Sequence, residues 1–321
     1  EFWDGAFLSI GDEASLMSMR ELIGINSILD SKSYKPFLLE YFSGKPSQEE
    51  LYGYWHASDN GKRLQHDYLL RYRNRLKRLV KEHMAGVALK QLTSNHWGFR
   101  LQLDKDEKKC LKEAVEKTRN IYVNTIRSLD KVSGERKLYM RLLSEVYNET
   151  PFGESFAPIV ASGKNACILH YTKNDELFRP NKLLLLDFGI RWHSIVTDIT
   201  RTVPISGEMN PLQQCLYQIV LGANLAVEKA CKKGITMESL NTIAWTHINN
   251  ALRSEILEKG GVVKLSYKER PHQVSHFIAH QVHDGDPFRD YRNRPLENNQ
   301  VISNEPGLYG YFELTINGKC T

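Results

Sequence analysis

The sequence predicts an α+β fold, and two observations carry that expectation. Apolar residues recur every three or four positions through the first half of the chain, and after Thr150-Pro151-Phe152-Gly153 the period changes to that of extended chain. Helices come first and strands later, without the regular alternation that marks a doubly wound parallel sheet. At 321 residues the chain fits one large or two ordinary domains and can bury a substantial core.

The elements follow in order. Residues 1–103 read as helix-rich with several turn signals. Asp12-Glu13 opens a periodic run through Leu16, Met19, Leu22 and Ile23, and Ser47 with Glu50 has the spacing of a helix-entry cap. A longer helix is expected from His66 to Met84, carrying Leu69, Leu70, Leu76, Leu79 and Val80. It is basic: Arg71, Arg73, Arg75, Lys77, Arg78 and Lys81 stand against Asp67 and Glu82, with Tyr68 and Tyr72 interleaved. Such a pattern can bind nucleic acid, but a solvated helix face explains it as well, and no nucleic-acid partner is expected.

A domain boundary is expected near Asp104-Lys105-Asp106, dividing the chain into 1–103 and 104–321. Leu111, Val115, Thr118, Tyr122, Ile126 and Leu129 then mark an amphipathic helix, and a second should cover Glu135 to Val146. Ile159-Val160-Ala161 reads as a short strand, and the apolar run Leu183–Leu186 as one buried on both faces. Ile195-Val196 and Thr200–Val203 continue the sheet, helices follow near Leu212–Lys232 and Met237–Leu257, and the last third reads as short strands and loops.

Composition narrows the class. Hydrophobic residues at 41%, charged residues at 25% and a formal charge of +5 are ordinary for a globular protein. Cys110, Cys167, Cys215, Cys231 and Cys320 are scattered without a CxxC pair, which suggests free thiols in a reducing compartment. No apolar run approaches a membrane span. The first residues carry neither a starting methionine nor a signal pattern, so the chain reads as part of a longer polypeptide with a cytoplasmic location.

One constellation carries chemistry: Asp187, Asp198, the cluster His272, His276, His280 and His283, and Glu305. Carboxylates with a single imidazole suit manganese, iron, cobalt or zinc in a bridged pair better than a lone structural zinc, and point to hydrolysis by metal-activated water. If the chain folds back as a hairpin centred on Trp192 and His193, Asp187 and Asp198 face each other at about 5 Å between Cβ atoms. Like charges so opposed are destabilising unless a cation neutralises them. At most one or two of the four histidines serve as ligands; the others can hold substrate or move protons, and His280 has the weakest claim. Glu305, between Val301-Ile302-Ser303-Asn304 and Pro306-Gly307, is placed to bridge metals or act as a base, and His170 lies at a strand-to-loop junction ahead of Asp187.

These residues resemble the pita-bread metallopeptidases, and within them Xaa-Pro aminopeptidase and prolidase. The matching stretches are Ile159–Ala166 with Leu169-His170-Tyr171, Asp187-Phe188-Gly189, Thr197–Thr202, the His272/His276/His283-Asp284 segment, and Glu305–Tyr309, over about residues 104–321. The resemblance implies a pita-bread catalytic domain after a partial creatinase-like α/β domain. It implies a dinuclear site with Asp187, Asp198, His276 and Glu305 as ligands, two divalent ions (manganese, with cobalt or zinc as alternatives), and His170, His272 and His283 lining the substrate site. It further implies release of the N-terminal residue from peptides with proline second, by a metal-activated hydroxide with Glu305 as base, and a homo-oligomer when full length.

Two departures qualify this. The family's fifth ligand, a glutamate in an Arg-Ile-Glu-Asp-like strand, is expected some two dozen residues beyond Glu305, past Thr321, and Glu313 in Phe-Glu-Leu does not replace it. Ala279 stands where the family motif commonly has glycine. The alternatives are a prolidase acting on Xaa-Pro dipeptides and a pita-bread binding protein without catalysis; methionine aminopeptidase fits the histidine arrangement less well.

Overall fold

The structure is a computed structural model that describes residue 36 and residues 50–53, 68–83, 88–91, 101–267, 270–284, 290–316 and 319–320. The periodic run at Asp12-Glu13 and Ser47 lie outside the described residues, but Glu50, expected in the first turn of a helix, instead opens a strand. The chain divides into two compact units, 1–92 and 93–321. The division falls ahead of 103/104 because Leu101 and Leu103 are buried in apolar clusters of the second unit. Asp104 does not open a linker. It caps the helix that follows, accepting from the Asp106 and Glu107 amides while Glu107 reaches back to the Asp104 amide.

In the first unit, β1 (Glu50–Gly53) and β2 (Ala88–Gln91) pair in parallel, joined through α1 (Tyr68–His83). A parallel pair needs such a crossover, so a β-α-β pattern follows from the pairing.

The second unit begins with α2 (Lys105–Ile126) and α3 (Glu135–Glu149). A three-stranded antiparallel sheet of order β3-β4-β7 packs against them, with β3 spanning Ile159–Ser162, β4 Leu183–Phe188 and β7 Ile199–Pro204. The short strands β5 (Arg191–Trp192) and β6 (Ile195–Val196) form the tip of the β4–β7 connection. Next come α4 (Pro211–Ala230), started by an Asn210/Gln213 capping box with proline in the first turn, and α5 (Met237–Leu252). Antiparallel strands β8 (Val262–Leu265) and β9 (Gly310–Glu313) follow. Among the described residues no helix is long and apolar enough to cross a membrane.

The β4 strand is one-sided where burial on both faces was expected. Leu184, Leu186 and Phe188 are fully buried with Ile121, Leu138, Leu142 and Val146 of the helices, each worth about 1.5–3 kcal/mol. Leu183, Leu185 and Asp187 alternate with them and are only partly buried. The helices therefore claim the even-numbered face of β4, and the odd-numbered face carries Asp187 to the site. A second core forms where Leu240, Ala244, Ile248 and Leu252 of α5 meet Ala223 and Val227 of α4 together with Val274 and Phe277. That core holds the histidine segment in place.

Candidate metal centre

The expected register of the aspartate hairpin is corrected by the structure. The ladder pairs Asp187 with Thr200 and Leu185 with Thr202, so Asp187 and Asp198 are not directly opposed. The turn is centred one residue later, on His193-Ser194, where His193 adopts φ +50. Asp198 lies outside the ladder, between β6 and β7. Thr197 is held there by its neighbours: its amide donates to the Ile190 carbonyl at 2.9 Å, and its hydroxyl accepts from the Ile190 amide at 2.9 Å. The same hydroxyl meets Thr118 Oγ1 at 2.7 Å. The two aspartates nonetheless share one site.

His276 and Glu305 arrive on two antiparallel stretches. The Glu305 amide donates to the Val274 carbonyl, the Ser303 amide to the His276 carbonyl and the Ile278 amide to the Val301 carbonyl. The His276 amide donates to Ser303 Oγ at 2.9 Å, and Ser303 Oγ donates to Glu305 Oε1 at 2.8 Å. One hydroxyl thus orients both side chains. Asn224 of α4 and Asn304 exchange side-chain-to-backbone hydrogen bonds at 2.9 and 3.0 Å, fixing the stretch beside Glu305.

His276 Nε2 lies 2.9 Å from Glu305 Oε1 and 3.4 Å from Asp198 Oδ2, in ion-pair contact but off the line of a hydrogen bond. Burial opposes its charge, yet the two carboxylates outweigh burial and its pKa is pushed up to about 10. Burial raises the Asp187 carboxyl to about 7, with the Asp198 and Glu305 charges adding to it. Burial also works against the Glu305 carboxylate, but His276, Ser303 and His272 overcome it and hold it below its usual range. His283 stacks edge-on against His276 at 4.5 Å between ring centres, and burial, then the His276 and His170 charges, lower its pKa. Four of the predicted residues therefore converge, with His283 against them.

Among the described residues no three acidic, histidine or cysteine side chains stand in the spacing of a ready-made cation site. The four instead close on one another, as carboxylates do around a protonated imidazole. The donor set still fits a divalent ion on two observations. Asp187 Oδ1 and His276 Nε2 are buried polar atoms without a hydrogen-bond partner. The Phe277 carbonyl, 3.0 Å from His276 Nδ1, takes that ring's first proton and leaves the Nε2 lone pair for a cation, where a proton now competes.

The remaining predicted residues divide. His272 places Nδ1 2.9 Å from the Gln273 carbonyl and Nε2 3.2 Å from the Tyr309 hydroxyl. His170 is exposed, and its charge is felt by His283. His280 is absorbed elsewhere, with Nε2 3.1 Å from Glu107 Oε1 and Nδ1 3.1 Å from the Ser194 carbonyl. Asp284 shapes the turn between His280 and His283 by accepting from the His280 and Gln281 amides. Glu313 sits on β9 and accepts from the Tyr311 hydroxyl at 2.6 Å, while the Ala279 methyl is buried with Leu103 and Ile195.

Sequence reasoning missed Ser303, Tyr267 and Tyr309. Tyr309 neighbours Glu305 and Asp187, whose charges join burial in raising its pKa, and it packs edge-on against Tyr267 at 6.1 Å. A usable signal was Gly307: a Cβ there would come within 2.6 Å of the Tyr309 hydroxyl, so the glycine lets that ring fold back.

Comparison with known proteins identifies the family. Residues 109–319 match metallopeptidase family M24. The chain is 34% identical over 213 residues to intermediate cleaving peptidase 55 of Schizosaccharomyces pombe, covering 63% of this chain and 41% of that protein. It is 35% identical over 158 residues to the mitochondrial intermediate cleaving peptidase 55 of Arabidopsis thaliana, covering 48% of this chain and 31% of that protein. It is 35% identical over 161 residues to the Xaa-Pro aminopeptidase of Escherichia coli, covering 48% and 36%. The chain thus spans less than half the length of these relatives. Among solved structures, proline aminopeptidase P II from Yersinia pestis superposes with a TM-score of 0.75 at 23% identity, over 96% of this chain and 70% of that one, which shows the shared pita-bread fold. With the family match covering most of the second unit, the chain belongs to the M24 metallopeptidases.

Proposed function

We propose that the full-length protein is an aminopeptidase that releases the N-terminal residue from peptides with proline second, and that Asp187, Asp198, His276 and Glu305 hold two divalent ions, manganese in our reading. One observation carries it: a partly buried imidazole whose Nδ1 is satisfied by backbone turns its buried Nε2 onto Glu305 and Asp198, beside an unpartnered Asp187 oxygen. The names of the Escherichia coli relative and the Yersinia pestis structure support the substrate class.

Two bound divalent ions would supply a water of lowered pKa and neutralise charge developing on the scissile carbonyl. The chain's own groups then divide the work. Glu305, kept ionised by its neighbours, is the proton acceptor. His283, neutral because its pKa is lowered, can donate a hydrogen bond toward the scissile peptide. Proline's amide has no N–H, so recognition must rest on shape and on His272, whose Nε2 faces the Tyr309 hydroxyl. His170, an exposed residue ahead of β4, would contact the substrate.

Cys110, Cys167, Cys215 and Cys231 are free thiols, which supports a reducing compartment. The cytoplasm is our assignment, and the Arabidopsis relative's name makes the mitochondrion its alternative. The test of activity is a manganese-loaded assay on an Xaa-Pro tripeptide, the same peptide with alanine second, and an Xaa-Pro dipeptide. The proposal expects cleavage of the first, with the alanine peptide at least about tenfold slower. Faster cleavage of the dipeptide would assign a prolidase, and binding without cleavage a non-catalytic protein.

A further inference from the structure

Outside the metal centre lies a second buried carboxylate that the proposed chemistry does not use. Glu135 opens α3 and is fully buried. Its described partners are neutral donors, five of them on two oxygens. The Ser162 amide, the Ser162 hydroxyl and Asn165 Nδ2 donate to Oε1 at 2.7, 2.9 and 3.1 Å. The Tyr171 hydroxyl and the Glu176 amide donate to Oε2 at 2.7 and 3.0 Å. A buried carboxylate is tolerated only when several donors surround it, and the first turn of a helix favours its charge.

Three of these partners belong to one stretch. Ser162, Asn165 and Tyr171 all turn inward to Glu135 from the loop that links β3 to the segment before β4. Tyr171 is buried, whereas His170 beside it is exposed. The same loop is tied on its other side, where the Cys167 carbonyl accepts from the Tyr267 hydroxyl at 2.9 Å. Tyr267 in turn packs against Tyr309, whose hydroxyl meets His272. The loop thus hangs between a buried anion and the aromatic wall of the site.

We propose that Glu135 is a positioning residue: it gathers Ser162, Asn165 and Tyr171 and thereby fixes the 162–171 loop so that His170 faces the substrate side of the metal centre. A glutamine cannot replace it. Its single acceptor oxygen can serve the Ser162 side, but its amide then faces the Tyr171 and Glu176 donors. Tyr171 can reverse its proton toward Asp175 Oδ1, 2.9 Å away, whereas the Glu176 amide cannot turn.

The role of His170 toward substrate rests on the function proposed above, so the test has two readouts. In the manganese-loaded protein, Glu135→Gln is expected to raise KM for an Xaa-Pro tripeptide about 10- to 100-fold, with kcat and metal content little changed. Leu142→Ala, which weakens the same helix's core, should leave KM unaltered. A KM shift equal in both variants, or none in Glu135→Gln, overturns the proposal. The second readout needs no substrate: amide hydrogen exchange at residues 162–171 should accelerate in Glu135→Gln and not in Leu142→Ala. Unchanged protection overturns the anchor even if the protein cleaves Xaa-Pro peptides, and lost protection supports it even if the protein does not. Should Glu135→Gln fail to fold, Tyr171→Phe and Asn165→Ala are expected to give smaller shifts of the same kind, and normal KM and protection in both would overturn the proposal.

Discussion

Replacing Glu305 with alanine in the full-length, manganese-loaded protein is expected to lower kcat/KM for an Xaa-Pro tripeptide by on the order of 10³-fold or more. Three consequences combine. The set loses the carboxylate nearest His276 Nε2, at 2.9 Å, and with it one of three negative charges available to a cation. The Ser303 hydroxyl, which donates to Glu305 Oε1 while accepting from the His276 amide, loses its acceptor, so His276 is less firmly oriented. The proposed proton acceptor is also gone. Glu305→Gln separates these effects, because it keeps the volume and an acceptor for Ser303 while removing charge and basicity. Both variants should retain the helical signal of the parent and lose metal and activity together. Activity within about tenfold of the parent would sink the assignment of Glu305.

Gly189→Ala is expected to destabilise the metal-free protein by about 3 kcal/mol, a fall in Tm of about 6–12 °C for a unit of this size. The added methyl would overlap the Thr197 carbonyl and come within 2.5 Å of Ser155 Oγ. Relief is blocked on every side. Thr197 is bonded to Ile190 through both amide and hydroxyl, its hydroxyl meets Thr118, and its carbonyl accepts from Ser155 Oγ at 2.7 Å. Any shift of Thr197 is passed to Asp198, the next residue, so metal affinity should fall with stability. Adding Ser155→Ala removes the softer clash and leaves the carbonyl, so the double variant should be no more stable than Gly189→Ala alone. A Tm within about 2 °C of the parent would contradict this account, since the backbone contact would then be compressible.

Local patterns were readable in the sequence, and long-range partners were not. The period of α2 and α3, the strand at Leu183 and the helices α4 and α5 were visible because each is set by its own apolar spacing. The aspartate register was misread by two residues. The turn sits on His193-Ser194, and Thr197 uses its side chain to bond Ile190 where a ladder would continue, which no alternation pattern records. The charged stretch at Asp104 looked like a boundary because a capping box and a linker share the same residue types. The histidine cluster announced a site but not its division: His276 turns Nε2 onto Glu305 and Asp198, whereas His280 turns Nε2 onto Glu107. Glu135 escaped notice because its donors lie 27 to 41 residues away, and a buried acid carries no mark of its burial in its own neighbourhood.

Asp187, Asp198, His276 and Glu305 are proposed to form one cation site. Anomalous diffraction at the manganese edge from crystals of the full-length protein grown with manganese tests it most directly. Two peaks are expected among these side chains, with carboxylate oxygens and His276 Nε2 at about 2.0–2.5 Å from them and His276 Nδ1 still on the Phe277 carbonyl. Crystals with manganese bound elsewhere, and with His276 still paired to Glu305, would contradict it.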